Sequence, residues 1–351
     1  MKKGIALLLV LALSLSLTFA FASEGEIALV TDIGNIDDKS FNQGAWEGVK
    51  IYADKAGLSE DDCVYYRPSE DSDAARLEQI ETAIDNGAKV IVLPGYLFNS
   101  TVLTAQADYP ETHFIGVDLD GAATYTENVT NLTYREEISG FCAGYATVKD
   151  GYTKLAFLGG IDVPAVVRFG HGFVQGAEAA AVELDKDIEM KYWYSGAFWP
   201  TDEIKGKTSA WYSEGTEVVF SSGGGVYLSA LASAEEADGK LIGVDVDQSY
   251  ISPRFITSAY KDLRGTVATA LEAYYANGEK FPADYAGKTV SLSADSKAVG
   301  IPTNAESWGF QNYTVEEFET MYAKLISGEI TVDPALDAHP ATTRVTVDYQ
   351  N

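Results

Sequence analysis

The chain has 351 residues, 46% of them hydrophobic, enough to bury the cores of two domains. Its 52 acidic residues outnumber 25 basic ones, giving a formal charge of -27 that is spread along the chain. Such a surface repels phosphate backbones and anionic headgroups, which argues against nucleic acid, a membrane surface or a polyanion as partner and favours a neutral or cationic small molecule. The three histidines have no paired spacing, so nothing calls for a His-based metal or catalytic centre, and no cofactor is expected.

The first residues carry Lys2 and Lys3, an apolar run from Ile5, and Ala20-Phe21-Ala22, the layout of a secretory signal peptide with a small-x-small cleavage site. Residues 1–22 are therefore excluded from the fold. The protein is expected to be exported to a periplasm or to the outer face of the cell membrane. No cysteine stands where a bacterial lipobox would need one.

From Glu26 onward, short β-rich runs alternate with helical segments, the pattern of parallel sheets covered by helices. The run "IALVTD" is followed by "SFNQ", where Ser40 and Gln43 have capping-box spacing and place Phe41 and Asn42 in the first helical turn. After "CVYYRP", the segment "DAARLEQIETAIDNG" sets Leu77, Ile80 and Ile84 at helical spacing and stops at Gly87. The strands "KVIVLPG", "HFIGVDL" and "NLTYR" follow, then "KLAFLGG", the helix "VQGAEAAAVEL", and the strands "IEMKYWYSG", "EVVFSS" and "KLIGVDVD". Beyond them come a strand in "RFITSAYKDL", a helix over Leu263–Asn277, a strand pair in "KTVSLSADSKAVGIP" and a helix in "TVEEFETMYAKLISG".

The pattern repeats internally. "NGAKVIVLPGY" with "FIGVDLD" resembles "EGTEVVFSSGG" with "LIGVDVD", at nearly constant offset, which implies two similar α/β lobes. No Pro/Ser-rich linker separates them, so the chain is expected to recross between lobes and form a hinge. The expected first lobe is 23–133 plus 259–298, and the second is 134–258 plus 299–351. Cys63 and Cys142 then fall in different lobes and read as separate buried thiols.

In open α/β sheets, ligands bind beyond the carboxyl ends of the strands. Those ends deliver Asp32 with Phe41 and Asn42, then Asp118, then Phe198, a glycine-rich loop containing Gly223 and Gly224, Asp245 and Lys261. Two aromatic faces, several carboxylates, an amide and an ammonium suit a planar ring bearing N–H donors and a sugar, hence a nucleoside; the alternative is a receptor for a free nucleobase, a sugar or another small polar ligand, or a sensor without a transport role. Each residue alone also has an ordinary reading: Phe41 as a core contact, Asp32 and Asp118 as caps, Phe198 as packing, Lys261 as a surface ion pair. No G-x-S-x-G elbow, no G-x-G-x-x-G after the first strand and no nucleophile with a His partner points to an enzyme.

At "VTDIGNIDDKSFNQGAWEG" the sequence resembles the basic membrane protein, or PnrA-like, family of substrate-binding proteins, and the resemblance continues through "REEISGFCAGYAT", "LGGIDVPAVVRFGHGFVQGA" and "TSAYKDL". It implies a type I periplasmic-binding-protein fold with two Rossmann-like lobes, three crossovers and a purine nucleoside in the cleft. It also implies a monomer that serves an ABC permease. By the same resemblance Phe41 and Phe198 sandwich the base and Asp118 reads it. Asp32 and Asn42 line the first lobe's side, and Asp245 and Lys261 engage the ribose beside the Gly223–Gly225 loop. The chain departs from the family in lacking the lipobox cysteine and in carrying Asn35 where a second glycine is common.

Overall fold

The computed structural model describes residues 25–350; the proposed signal peptide lies outside them. In the first half the strands are β1 (Ile27–Val30), β2 (Cys63–Tyr66), β3 (Val90–Pro94), β4 (His113–Val117) and β5 (Val129–Tyr134). In the second they are β6 (Lys154–Gly159), β7 (Ile188–Tyr194), β8 (Val218–Ser222), β9 (Lys240–Asp245) and β10 (Phe255–Lys261). All are parallel, and each set is ordered 2-1-3-4-5 across its sheet. The two lobes therefore share one topology, as the internal repeat requires. β3 and β8 are buried along their whole length, which explains why neither alternates apolar with polar residues.

Three more strands complete the sheets: β11 (Lys288–Leu292) beside β5, β12 (Val299–Gly300) antiparallel to β10, and β13 (Val345–Tyr349) beside β7. The "KTVSLSADSKAVGIP" segment is thus not a hairpin: its two strands belong to different sheets, and the turn between them crosses from lobe to lobe. β13 had no counterpart in the sequence reading. The chain crosses at three places: from β5 into helix α4 (Glu136–Lys149), from β10 into helix α8 (Leu263–Ala276), and between β11 and β12. β10 pairs with β9, so the second crossing falls after Lys261 and not at residue 259. Helix α8 then packs on helix α1 (Phe41–Ala56) of the first lobe, where Gly44 and Gly48 bring its backbone close.

In the second lobe α4 lies against helix α5 (Pro164–Leu184) at backbone distance. A Cβ on Gly140 or Gly144 would sit 2.1 or 2.2 Å from a carbonyl oxygen of α5, and one on Gly172 or Gly176 would sit 2.1 or 2.0 Å from one of α4. Cys63 in β2 and Cys142 in α4 are both free and buried, in separate lobes as expected. No helix among the described residues is long and apolar enough to cross a membrane.

Candidate functional site

The carboxyl ends of both sheets face one cleft of about 590 Å³. All nine residues singled out at the strand ends line it: Asp32, Phe41 and Asn42 from the first lobe with Asp118, and Phe198, Gly223, Gly224, Asp245 and Lys261 from the second.

The first-lobe wall is built around α1. Its start is capped by Asp38 rather than by the expected Ser40–Gln43 box. Asp38 accepts from the backbone N–H groups of Ser40 (2.8 Å), Asn42 (3.0 Å) and Gln43 (3.1 Å), and from the Asn42 side chain (3.1 Å). The Ser40 hydroxyl makes no capping bond. A carboxylate two residues upstream satisfies three free helix-start donors at once, which one serine hydroxyl cannot. The Asn42 amide gives its other hydrogen to Asp32 Oδ1 at 3.2 Å, which fixes the amide's orientation. Asp32 Oδ1 also accepts from the N–H groups of Ile33 and Gly34, at 2.7 and 2.8 Å.

Burial pushes the Asp38 carboxyl up to about 6, its four donors offsetting only part of the effect, and burial likewise raises Asp32. A carboxyl whose folded pKa exceeds its unfolded value of 3.8 binds more protons when folded. Its stabilisation is therefore complete below the unfolded value and is lost as pH rises through the folded one. The thermal midpoint should rise by a few degrees on going from about pH 7 to about pH 5, a trend Asp38→Asn should flatten. Scanning fluorimetry across that range would refute this if the midpoint fell or stayed level.

Where the lobes meet, Lys261 lies at the end of β10, 2% exposed. Its ammonium is 2.5 Å from Asp118 Oδ2, 3.3 Å from Asp245 Oδ1 and 3.7 Å from Glu136 Oε1. It also sits over the Phe41 ring, 4.5 Å from the centre, with the Tyr134 and Phe169 rings 5.4 Å away. Burial alone would lower the Lys261 pKa, but the three carboxylates outweigh it and hold the ammonium above its ordinary value. At Asp118 burial dominates and pushes the carboxyl up, with Lys261 pulling the other way. Glu136 would also be raised by burial, yet the Arg168 guanidinium, 2.6 Å from Oε2, and then Lys261 bring it below the usual range. Three carboxylates thus face two cations, a formal excess of one negative charge at the seam between the lobes.

Asp118 and Asp245 end equivalent strands, β4 and β9, and both adopt left-handed backbone, with φ of 58° and 66°. Such strain in a non-glycine residue persists only where the surroundings enforce it. The glycine-rich loop has a different task from a phosphate cradle. A Cβ on Gly223 would come within 3.2 Å of the Phe198 ring, and one on Gly160 within 2.6 Å, so these glycines seat the ring.

Several contributors were not foreseen. Glu136 and Arg168 complete the ion cluster, Phe169 and Ser222 line the cleft, and Ser40 donates to Asp245 across the lobes. Three acceptors on the wall are buried without a partner among the described residues: Asp118 Oδ1, Asn42 Oδ1 and Ser222 Oγ. An unmet buried acceptor is costly, so these atoms are the unsatisfied polar positions of the wall. No grouping of His, Cys, Asp and Glu among the described residues could hold a metal ion.

Comparison with known proteins accords with this arrangement. Basic membrane protein A1 of Borrelia garinii subsp. bavariensis is 29% identical over 312 residues, 88% of each chain. The ABC transporter nucleoside-binding protein BmpA of Lactococcus lactis subsp. cremoris is 30% identical over 331 residues, 87% of this chain and 88% of its own. A solute-binding protein of an ABC transporter system from Aeropyrum pernix K1 has 22% identity and a TM-score of 0.73 over 87% of this chain and 92% of its own, a likeness of fold. The architecture is that of type I periplasmic binding proteins. A family model described as ABC transporter substrate-binding protein PnrA-like matches residues 26–335, and on that match, with two like lobes around one cleft, the chain belongs to the PnrA-like family of substrate-binding proteins.

Proposed function

We propose that this protein is the extracytoplasmic receptor of an ABC importer and that it holds a purine nucleoside between its lobes without turning it over. The observation that carries this reading is the pairing of unmet buried acceptors, Asp118 Oδ1 and Asn42 Oδ1, with aromatic rings from opposite walls, Phe41 and Phe198. Purine edges and ribose hydroxyls supply donors, and the base supplies a face for each ring. The local excess of negative charge suits donors and disfavours a phosphorylated ligand. Asp118 would read the base, with Asp32 and Asn42 beside it. Asp245 and Lys261 would bind the ribose next to the Gly223–Gly225 loop. One chain supplies both walls, so a monomer suffices. Closure around the ligand would give the permease a form distinct from the empty one.

Mass spectrometry of ligand retained through purification, with Trp fluorescence titrations against inosine, guanosine, adenosine, the free bases and ribose, would test the reading. Silence with every nucleoside would end it, whereas response to a base or to ribose alone would move it to that ligand. Phe41→Ala and Phe198→Ala should each weaken binding by about 1–3 kcal/mol. Calorimetry showing unchanged affinity in both would remove the sandwich.

A further inference from the structure

The Ser40 hydroxyl, released from capping by Asp38, is fully buried and donates to Asp245 Oδ2 at 2.6 Å. This bond runs from the first lobe to the second. A second, part-buried bond runs beside it: Gln248 Nε2 donates to the Lys39 carbonyl at 2.9 Å. Gln248 is itself fixed within its own lobe, its Oε1 accepting from Val244 N–H at 3.0 Å and its N–H donating to Ser258 Oγ at 3.0 Å. Two adjacent residues of one lobe, Lys39 and Ser40, are thereby tied to a four-residue stretch of the other, Asp245–Gln248. That stretch begins with a residue in left-handed backbone.

We infer that Ser40 and Gln248 are positioning residues for Asp245. Together they form a seam that holds its carboxylate toward the cleft while the lobes are closed, and they let it go when the lobes part. The division of labour at Asp245 supports this: Oδ2 takes the Ser40 hydroxyl and Oδ1 faces Lys261 at 3.3 Å, so each oxygen has its own anchor. Lobe opening moves Lys39–Ser40 away from Asp245–Gln248, which removes the Oδ2 anchor and frees the strained turn to relax. The seam also explains the acidic run before α1. With Asp38 as the helix cap, the side chain at position 40 is available to the other lobe. The inference rests on the proposed function only in taking Asp245 as a ligand-binding carboxylate.

The test uses Ser40→Ala and Gln248→Glu. The second keeps an acceptor for Val244 N–H and exchanges the cross-lobe donor for an oxygen, while adding a charge at a fully buried position, so Ser40→Ala is the cleaner of the two. Stopped-flow binding of a purine nucleoside should show affinity reduced about tenfold in each variant, the change falling on the dissociation rate with association nearly unaltered. Hydrogen–deuterium exchange on the nucleoside-saturated proteins should show faster exchange at residues 244–248 in both variants than in the parent, with the ligand-free thermal midpoint of Ser40→Ala near the parent's. Unchanged dissociation together with unchanged exchange at 244–248 would overturn the inference, as would a loss of affinity carried by association alone. If the parent protein binds no nucleoside, the proposed function fails by itself, and the same exchange comparison with whatever ligand the parent retains through purification decides the seam.

Discussion

Lys261→Met is expected to abolish ligand binding and to lower the free energy of unfolding by about 3–5 kcal/mol, although methionine preserves much of the side chain's length. The ammonium is the shared counter-charge of Asp118, Asp245 and Glu136, all of them buried. Removing it leaves three carboxylates with only Arg168, at Glu136 Oε2, and at that depth water cannot replace the lost partner. The Phe41 ring also loses the cation that lies over it. Adding Asp118→Asn to Lys261→Met should recover part of the stability, because one uncompensated charge is gone, while binding stays lost. Urea unfolding and calorimetric titration of the parent, single and double variants separate these effects. An unchanged urea midpoint in Lys261→Met would show that the cluster is solvated and that the burial argument is wrong.

Much of this site could be read from the sequence because the fold's logic is local at strand ends. Each apolar run ends where the chain leaves the sheet, so the residues after Val30, Val117, Val244 and Tyr260 had to converge once the sheets were known to be parallel. The repeat was legible for a similar reason: β3 and β8, and the turns that follow them, lie in the same place in each lobe. What escaped depended on distance through space. Glu136, in the first turn of α4, is indistinguishable in sequence from an acid that favours a helix start, and its partner Arg168 lies on another helix. Ser40 and Gln43 satisfied the capping-box spacing, and nothing local says that Asp38 reaches all three free N–H groups first. The short strands β11 and β12 look like a hairpin because a few polar residues separate them. Only the lobes' relative placement makes that stretch a crossing.

The glycines of α4 and α5 give a second large effect, and its sign is the informative part. Gly176→Ala places a methyl group 2.0 Å from the Phe141 carbonyl oxygen, and backbone on the facing helix cannot rotate away as a side chain could. In an unobstructed helix interior the same change stabilises by up to about 1 kcal/mol, since alanine restricts the unfolded chain. Gly206, in the helix Asp202–Ser213, is such a position: it is exposed, and a Cβ there meets nothing within 4 Å. Gly206→Ala should therefore raise stability slightly, whereas Gly176→Ala should lower it by about 1–3 kcal/mol or more by forcing the helices apart. The displacement would reach the cleft. Helix α5 carries Arg168 and Phe169, and α4 begins at Glu136, so spreading the pair pulls on the carboxylate and the ring beside Lys261. Gly176→Ala should accordingly weaken ligand binding as well, while Gly206→Ala leaves it unchanged. Thermal unfolding and titration of the two variants side by side would refute the account if both shifted stability in the same direction.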